Sequence, residues 1–299
     1  MRISLAIAAS AASLLVSTKG FSWGQKGHQM INHVAVSMVN HPEGRKFLTA
    51  NQEQIRMFAS TPDTAWKSGA SAEKEKPLHW FEIDGYNTSS FGEGVADMIL
   101  SQARSQLGQQ FTTKYGLALW RVSTLYQDLV AALRDQNWER SIQVGGVIGH
   151  YVGDMTQPMH SSTDYDGQSI NKPGVHKYYE TTLVNQIAKE HLYDTVLADA
   201  GERRHGLERS VGNDMTPVEL QHLVYDEAET GFNALSDILG NMDDQTNDEW
   251  LTSDLKPRLA RASAVLGKIW DAALTTAQVK NLPKENIKAA EPRWMPMEK

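Results

Sequence analysis

The 299-residue chain contains no cysteine. Disulfides and thiolate-based metal sites are therefore excluded, although the first residues resemble an export signal whose destination would tolerate disulfides. Beyond residue 22 no apolar run approaches the roughly 18 residues needed to cross a bilayer, so no transmembrane segment is expected. Positive charge is also in deficit. Lys and Arg number 29 against 36 Asp and Glu, a net charge of −7 that argues against a generic nucleic-acid binder. Internal repeats, low-complexity blocks and long linkers are missing, which leaves one domain and no evident obligate protein partner.

Arg2, the apolar stretch from Ile3 to Val16, and small residues at Gly20 and Ser22 read as a signal peptide over residues 1–22, with cleavage before Trp23. The product, residues 23–299, is expected to be secreted or periplasmic. Loss of Arg2 and Lys19 leaves 27 basic residues against 36 acidic ones and moves the net charge from −7 to −9. Cleavage at this point would also create a metal ligand. The new α-amino group and the carbonyl of Trp23 can chelate one ion through a five-membered ring, and His28 is near enough in sequence to join them.

Helical periodicity dominates the rest. Ile31, Val34, Ala35, Met38 and Val39 share one face, as do Leu119, Val122, Leu125, Tyr126, Leu129, Val130 and Leu133. Comparable stripes continue to Ile269 and predict an all-α fold: a compact domain of seven to nine helices with the functional cluster in a cleft between them. The alternation His79-Trp80-Phe81-Glu82-Ile83-Asp84 is strand-like, but one such piece cannot form a sheet. The polar loop from Ser161 to Pro173 has room to border a cleft.

Chemistry concentrates between His150 and Glu180. On a helix, His150 and Asp154 point to the same side, and Pro158 then breaks the helix so that His160 can turn back toward them. His176 and Glu180 repeat the four-residue step. A lone pair of this kind is usually a surface contact or a cap. Two pairs and a third histidine within one short span, with Asp63 and His79 upstream, point to metal instead, and nitrogen and oxygen donors without sulfur suit a hydrolytic zinc site. His33, His41, His191, His205 and His222 read as ordinary surface or core histidines, and the charge runs Glu73-Lys74-Glu75-Lys76 and Glu202-Arg203-Arg204 as solvated. Trp66, Trp80 and Tyr151 flank the donors and are candidate substrate contacts, as an aromatic cage or a base platform, unless they belong to the core.

Together Trp23, His28, Asp63, His79, His150, Asp154, His160, His176 and Glu180 resemble the nine ligands of the three-zinc phosphodiesterases, the superfamily of bacterial phosphatidylcholine-type phospholipase C and the single-strand-specific nucleases. The resemblance implies about three zinc ions: one on Asp63, His79, His150 and Asp154, one on His160, His176 and Glu180, and one on Trp23, His28 and a bridging Asp154. It also implies phosphodiester hydrolysis by a zinc-activated water, with Asp63 orienting or deprotonating that water. For the substrate, Glu180 in place of Asp, the short interval from His160 to His176, the absence of a Gly-Gly-Asn stretch, and Trp66 in place of an arginine three residues after Asp63 favour a phospholipid. Trp80 beside His79 and the short Trp23-to-His28 opening favour single-stranded nucleic acid as the alternative, with Lys67 standing in for the arginine. Thr163, where phospholipases carry Asn, weakens the phospholipid side. A secreted, non-catalytic metal-binding protein is the remaining alternative.

Overall fold

The computed structural model describes residues 23–89, 92–188, 192–210, 212–243 and 247–297. The expected signal peptide and His191 lie outside them. The frame is all-α, with no strand among the described residues, and its principal helices are α1 (Gly24–Ser37), α2 (Pro42–Ala50), α3 (Gln52–Phe58), α4 (Ala118–Arg134), α5 (Trp138–Thr156), α6 (Leu192–Ser210), α7 (Pro217–Asp243) and α8 (Asp248–Thr276). Short helical turns between α3 and α4 and after α5 take the number of elements above the seven to nine that periodicity predicts. Most of them are too short to impose a stripe of their own on the sequence, the eight-residue helix Leu100–Leu107 being the longest.

The centre of the molecule is α5. Its N-terminus is capped by the Asn137 side chain, which accepts the Arg140 amide, and from Val144 to Thr156 every residue is buried. Val144, Val147, Ile148, Val152 and Met155 supply its apolar contacts, each contributing about 1.5–3 kcal/mol by area. A helix buried all round needs neighbours on every side, and α1, α3, α4, α7 and α8 provide them. The Leu259–Leu274 stretch of α8 is almost wholly buried for the same reason, and the Trp270 indole donates to the Gly145 carbonyl of α5 at 3.2 Å.

Two segments without regular structure complete the frame. The strand-like piece at 80–82 is extended, and its flanking amides pair with the chain on either side: Phe81 N–H donates to the His160 carbonyl at 2.9 Å, Glu82 N–H to Tyr115 at 2.8 Å, and Ile83 N–H to Ser161 at 2.8 Å. That pairing brings His79 beside His160. Residues 280–297 form an extended strap that runs back across the body, with the Ile287 amide on Asn51 Oδ1 at 2.7 Å, the Ala289 amide on Gln54 Oε1 at 2.8 Å and the Ala290 amide on Glu139 Oε1 at 3.0 Å.

Candidate metal centre

The last turns of α5 carry His150 and Asp154 into the interior, both fully buried. The His150 Nδ1 donates to the Ala59 carbonyl at 2.8 Å, which turns Nε2 inward as a lone-pair donor. There it stands 2.9 Å from His79 Nδ1 and 3.5 Å from Asp154 Oδ2, while His79 Nδ1 is 3.0 Å from Asp154 Oδ2. Asp63 Oδ1 is 3.6 Å from His150 Nε2 and 3.7 Å from His79 Nδ1. Four donors around a tetrahedral zinc with bonds of about 2.0–2.1 Å are separated by about 3.3 Å. The five measured separations bracket that value, so this donor set fits zinc.

A second group lies on the other side of Asp154. His28 of α1 stacks on His150, with ring centroids 3.9 Å apart, and its Nε2 is 3.5 Å from Asp154 Oδ1. The approach of α1 to α5 depends on glycines that the sequence reading passed over. A Cβ on Gly149 would meet Asn32 Oδ1 at 1.8 Å, and one on Gly153 would meet His28 Nδ1 at 2.9 Å. Trp23 is wholly buried at the start of α1. Its indole donates to the Gly153 carbonyl at 2.7 Å, and its own carbonyl accepts the Gly27 amide at 3.1 Å, which leaves one of that oxygen's two lone pairs.

The third group is His160, His176 and Glu180, all buried. Glu180 Oε2 is 3.0 Å from His176 Nε2 and 3.9 Å from His160 Nε2, and it accepts from Gln157 Nε2 at 3.3 Å. His160 Nδ1 is hydrogen-bonded to the His79 carbonyl, which fixes Nε2 as the free nitrogen. Asp63 and Glu180, the two carboxylates not on α5, both sit in π-helical turns, Pro62–Trp66 and Tyr178–Leu183, a geometry that recurs at functional sites. Asp154 Oδ1, His160 Nε2 and Glu180 Oε1 are buried without hydrogen-bond partners. Orphaned acceptors at this depth are costly unless a cation completes them.

The electrostatics agree. Burial raises the Asp154 carboxyl well above the ordinary range, Asp63 adds to the shift, and Lys67 opposes it. Glu180 is raised chiefly by burial. Burial likewise holds His79, His150 and His160 well below the usual histidine value, so they stay neutral and available as ligands. Lys67 Nζ stands 2.7 Å from Asp63 Oδ1. Burial works against its charge, but Asp63, Asp154 and Glu180 outweigh that and raise its pKa.

Several expectations need correction. Trp66 and Tyr151 are core residues: the Trp66 indole donates to the Pro292 carbonyl at 3.0 Å, and the Tyr151 hydroxyl is bonded to Glu75 and to Arg121, so neither is presented to a substrate. Trp80 remains partly exposed beside His79. The run from Glu73 to Lys76 is not uniformly solvated. Glu75 is completely buried, and its Oε1 receives His79 Nε2 at 3.1 Å. The signal was present, since Glu75 precedes His79 by the same four-residue step that marks the other pairs. In the other charge run Arg204 is buried, donating to Asp271 at 2.6 Å and to the Met38 carbonyl at 3.0 Å. The other histidines are as expected: His41 caps α2 by accepting the Gly44 amide, His33 is half-buried, and His205 and His222 are exposed.

Frame and site define an all-helical protein with a buried, sulfur-free, three-part donor cluster of the kind that holds metal in hydrolases. Residues 23–191 match the profile of the S1/P1 nuclease family, and the chain belongs to that family. All nine candidate ligands fall inside the matched span. The fold is similar to that of the alpha-toxin of Clostridium perfringens, with a TM-score of 0.55 at 15% identity over 85% of this chain and 65% of the toxin. The alpha toxin of Clostridium absonum is similar too, with a TM-score of 0.51 at 12% identity over 83% of this chain and 63% of that one. A curated sequence from Bradyrhizobium tropiciagri named "probable serine protease" is 21% identical across 54% of this chain, which spans 31% of that protein. The ring nitrogens of His79, His150 and His160 have as partners Asp154, Glu75, the Ala59 carbonyl, one another and the His79 carbonyl.

Proposed function

We propose that the chain, after removal of residues 1–22 and export, is a zinc-dependent phosphodiesterase that cleaves single-stranded nucleic acid. The observation that carries this reading is the converging four-donor set His79, His150, Asp63 and Asp154, with Asp154 turned toward His28 through its other oxygen. Such a set, with His160, His176 and Glu180 nearby, would hold about three ions, the third completed by the Trp23 amine. Zinc bound there supplies a Lewis acid for the phosphoryl oxygens and makes a coordinated water acidic near neutral pH.

The side chains do the rest. Asp63 can accept the proton of the attacking water through the oxygen it does not commit to metal. Lys67, at the same carboxylate, supplies a cation for the phosphate in place of the arginine that the nuclease pattern has one residue earlier. Trp80, partly exposed next to His79, offers a ring on which a base can stack. These two contacts, with the family membership, move the substrate expectation from phospholipid toward nucleic acid. Phosphatidylcholine is the second reading, favoured by Glu180 and the short interval from His160 to His176.

The test compares zinc-loaded mature protein on single-stranded DNA, single-stranded RNA and phosphatidylcholine vesicles. We expect cleavage of the nucleic acids at least an order of magnitude faster than of the lipid, and Trp80→Ala to raise KM on nucleic acid. Faster lipid cleavage would install the second reading, and no hydrolysis of any of the three would overturn the enzymatic one.

A further inference from the structure

The strap at 280–297 lies outside the residues matched to the family, yet it ends on the supports of one metal group. Three of its residues bond in turn to three separate elements. The Pro292 carbonyl accepts the Trp66 indole at 3.0 Å, in the π-turn that carries Asp63. The Trp294 indole donates to Glu75 Oε2 at 2.7 Å. The Met295 carbonyl accepts Arg121 Nη1 of α4 at 2.7 Å, and Arg121 reaches the Tyr151 hydroxyl at 3.3 Å.

Glu75 is the hub. With Nδ1 of His79 turned to the donor cluster, Nε2 must carry the proton and donate it to Glu75 Oε1, which fixes the ring's tautomer and rotation. A carboxylate can hold a ring in place only if it is itself held. Tyr151 secures Oε1 and Trp294 secures Oε2, so the buried carboxylate is braced from two sides, one of them the strap. Trp294 is half-buried and Met295 buried, so these contacts are packed rather than frayed.

We infer that the C-terminal strap is a positioning element for the metal group of Asp63, His79, His150 and Asp154, acting on His79 through the relay Trp294–Glu75 and on Asp63 through Pro292–Trp66. Trp294 touches none of the donors. It acts through Glu75 and is a positioning residue. Among the described residues no strap residue has a hydrogen bond to His160, His176 or Glu180, so loosening the strap acts first and most strongly on the group that His79 and Asp63 join.

The inference rests on the zinc reading of the site, and the experiment separates the two. Zinc release from the full-length mature protein is followed against a chelator of graded strength, for the wild type, Trp294→Phe, Glu75→Gln and the double variant. Trp294→Phe keeps an aromatic ring but removes the indole N–H together with the five-membered ring that carries it. Glu75→Gln probes the same relay from its other end without altering the strap, so a folding failure in one variant leaves the other decisive. We expect one of the bound ions to be held about tenfold more weakly in each single variant, the usual effect of losing an outer-shell partner, and the others to be unchanged. The double variant should weaken that ion no further than Glu75→Gln alone, because Trp294 acts only through that carboxylate. Equal weakening of every ion, wild-type release from Trp294→Phe, or additive losses in the double variant would each overturn the inference. Absence of bound zinc from the wild type would overturn the metal reading along with it.

Discussion

Replacing Asp154 by Asn should move metal affinity and metal-free stability in opposite directions. Asp154 places Oδ2 at 3.0 Å from His79 Nδ1 and Oδ1 at 3.5 Å from His28 Nε2, so its carboxylate faces two of the candidate donor groups and in the proposed site would serve both. A four-ligand zinc site binds with about 10–16 kcal/mol, or about 3 kcal/mol per ligand, and losing the charge of one shared ligand should cost each of the two ions about a hundredfold in affinity. Without metal the sign reverses. Burial, with Asp63 next, holds the Asp154 carboxyl well above its unfolded value. Such a group favours the folded state while both states are protonated and withdraws that support as pH rises toward its folded pKa. Asn mimics the protonated acid at every pH. The metal-free Asp154→Asn protein should therefore melt higher than metal-free wild type, by a margin that widens as pH rises above the ordinary carboxylate value of about 4. Zinc content after gel filtration, chelator titration and paired melting curves in excess chelator supply the measurements. Wild-type zinc retention in the variant, or a metal-free variant that melts lower at the alkaline end, would refute the reasoning.

Other outcomes follow from the same geometry. One residue added before Trp23 replaces its amine with a peptide nitrogen, and elemental analysis should then find one zinc fewer per chain; an unchanged count would remove Trp23 from the ligand set. Gly153→Ala sets a Cβ 2.9 Å from His28 Nδ1 and 3.0 Å from Ile31 Cδ1, and thermal unfolding should show a loss of about 1–3 kcal/mol, with reduced zinc at His28. Because burial keeps His79, His150 and His160 well below the ordinary histidine pKa, protons compete poorly for them. Zinc should stay bound as pH falls through the ordinary histidine value of about 6.5, and half-release above that value in a dialysis series would contradict the shifts.

The candidate donors that the structure brings together were legible because their signal is local. Four-residue steps at His150/Asp154 and His176/Glu180, Pro158 ahead of His160, and the absence of cysteine confine the chemistry to nitrogen and oxygen ligands on helices, whatever the rest of the chain does. The all-α frame was legible for the same reason, since a stripe of period 3.6 needs no knowledge of what covers it. What tertiary structure alone decided was which charged and aromatic residues are buried. Glu75 and Arg204 sit in runs that look solvated, and each is carried inside by partners far along the chain, Trp294 for one and Asp271 for the other. Trp66 and Tyr151 look like substrate contacts until the strap and Arg121 are seen to occupy their polar atoms. Lys67 gains its meaning only when the turn of Pro62–Trp66 sets its ammonium against Asp63. Desolvation of a charge is a property of its surroundings, and surroundings assembled from residues more than two hundred positions apart leave no periodic trace in the sequence.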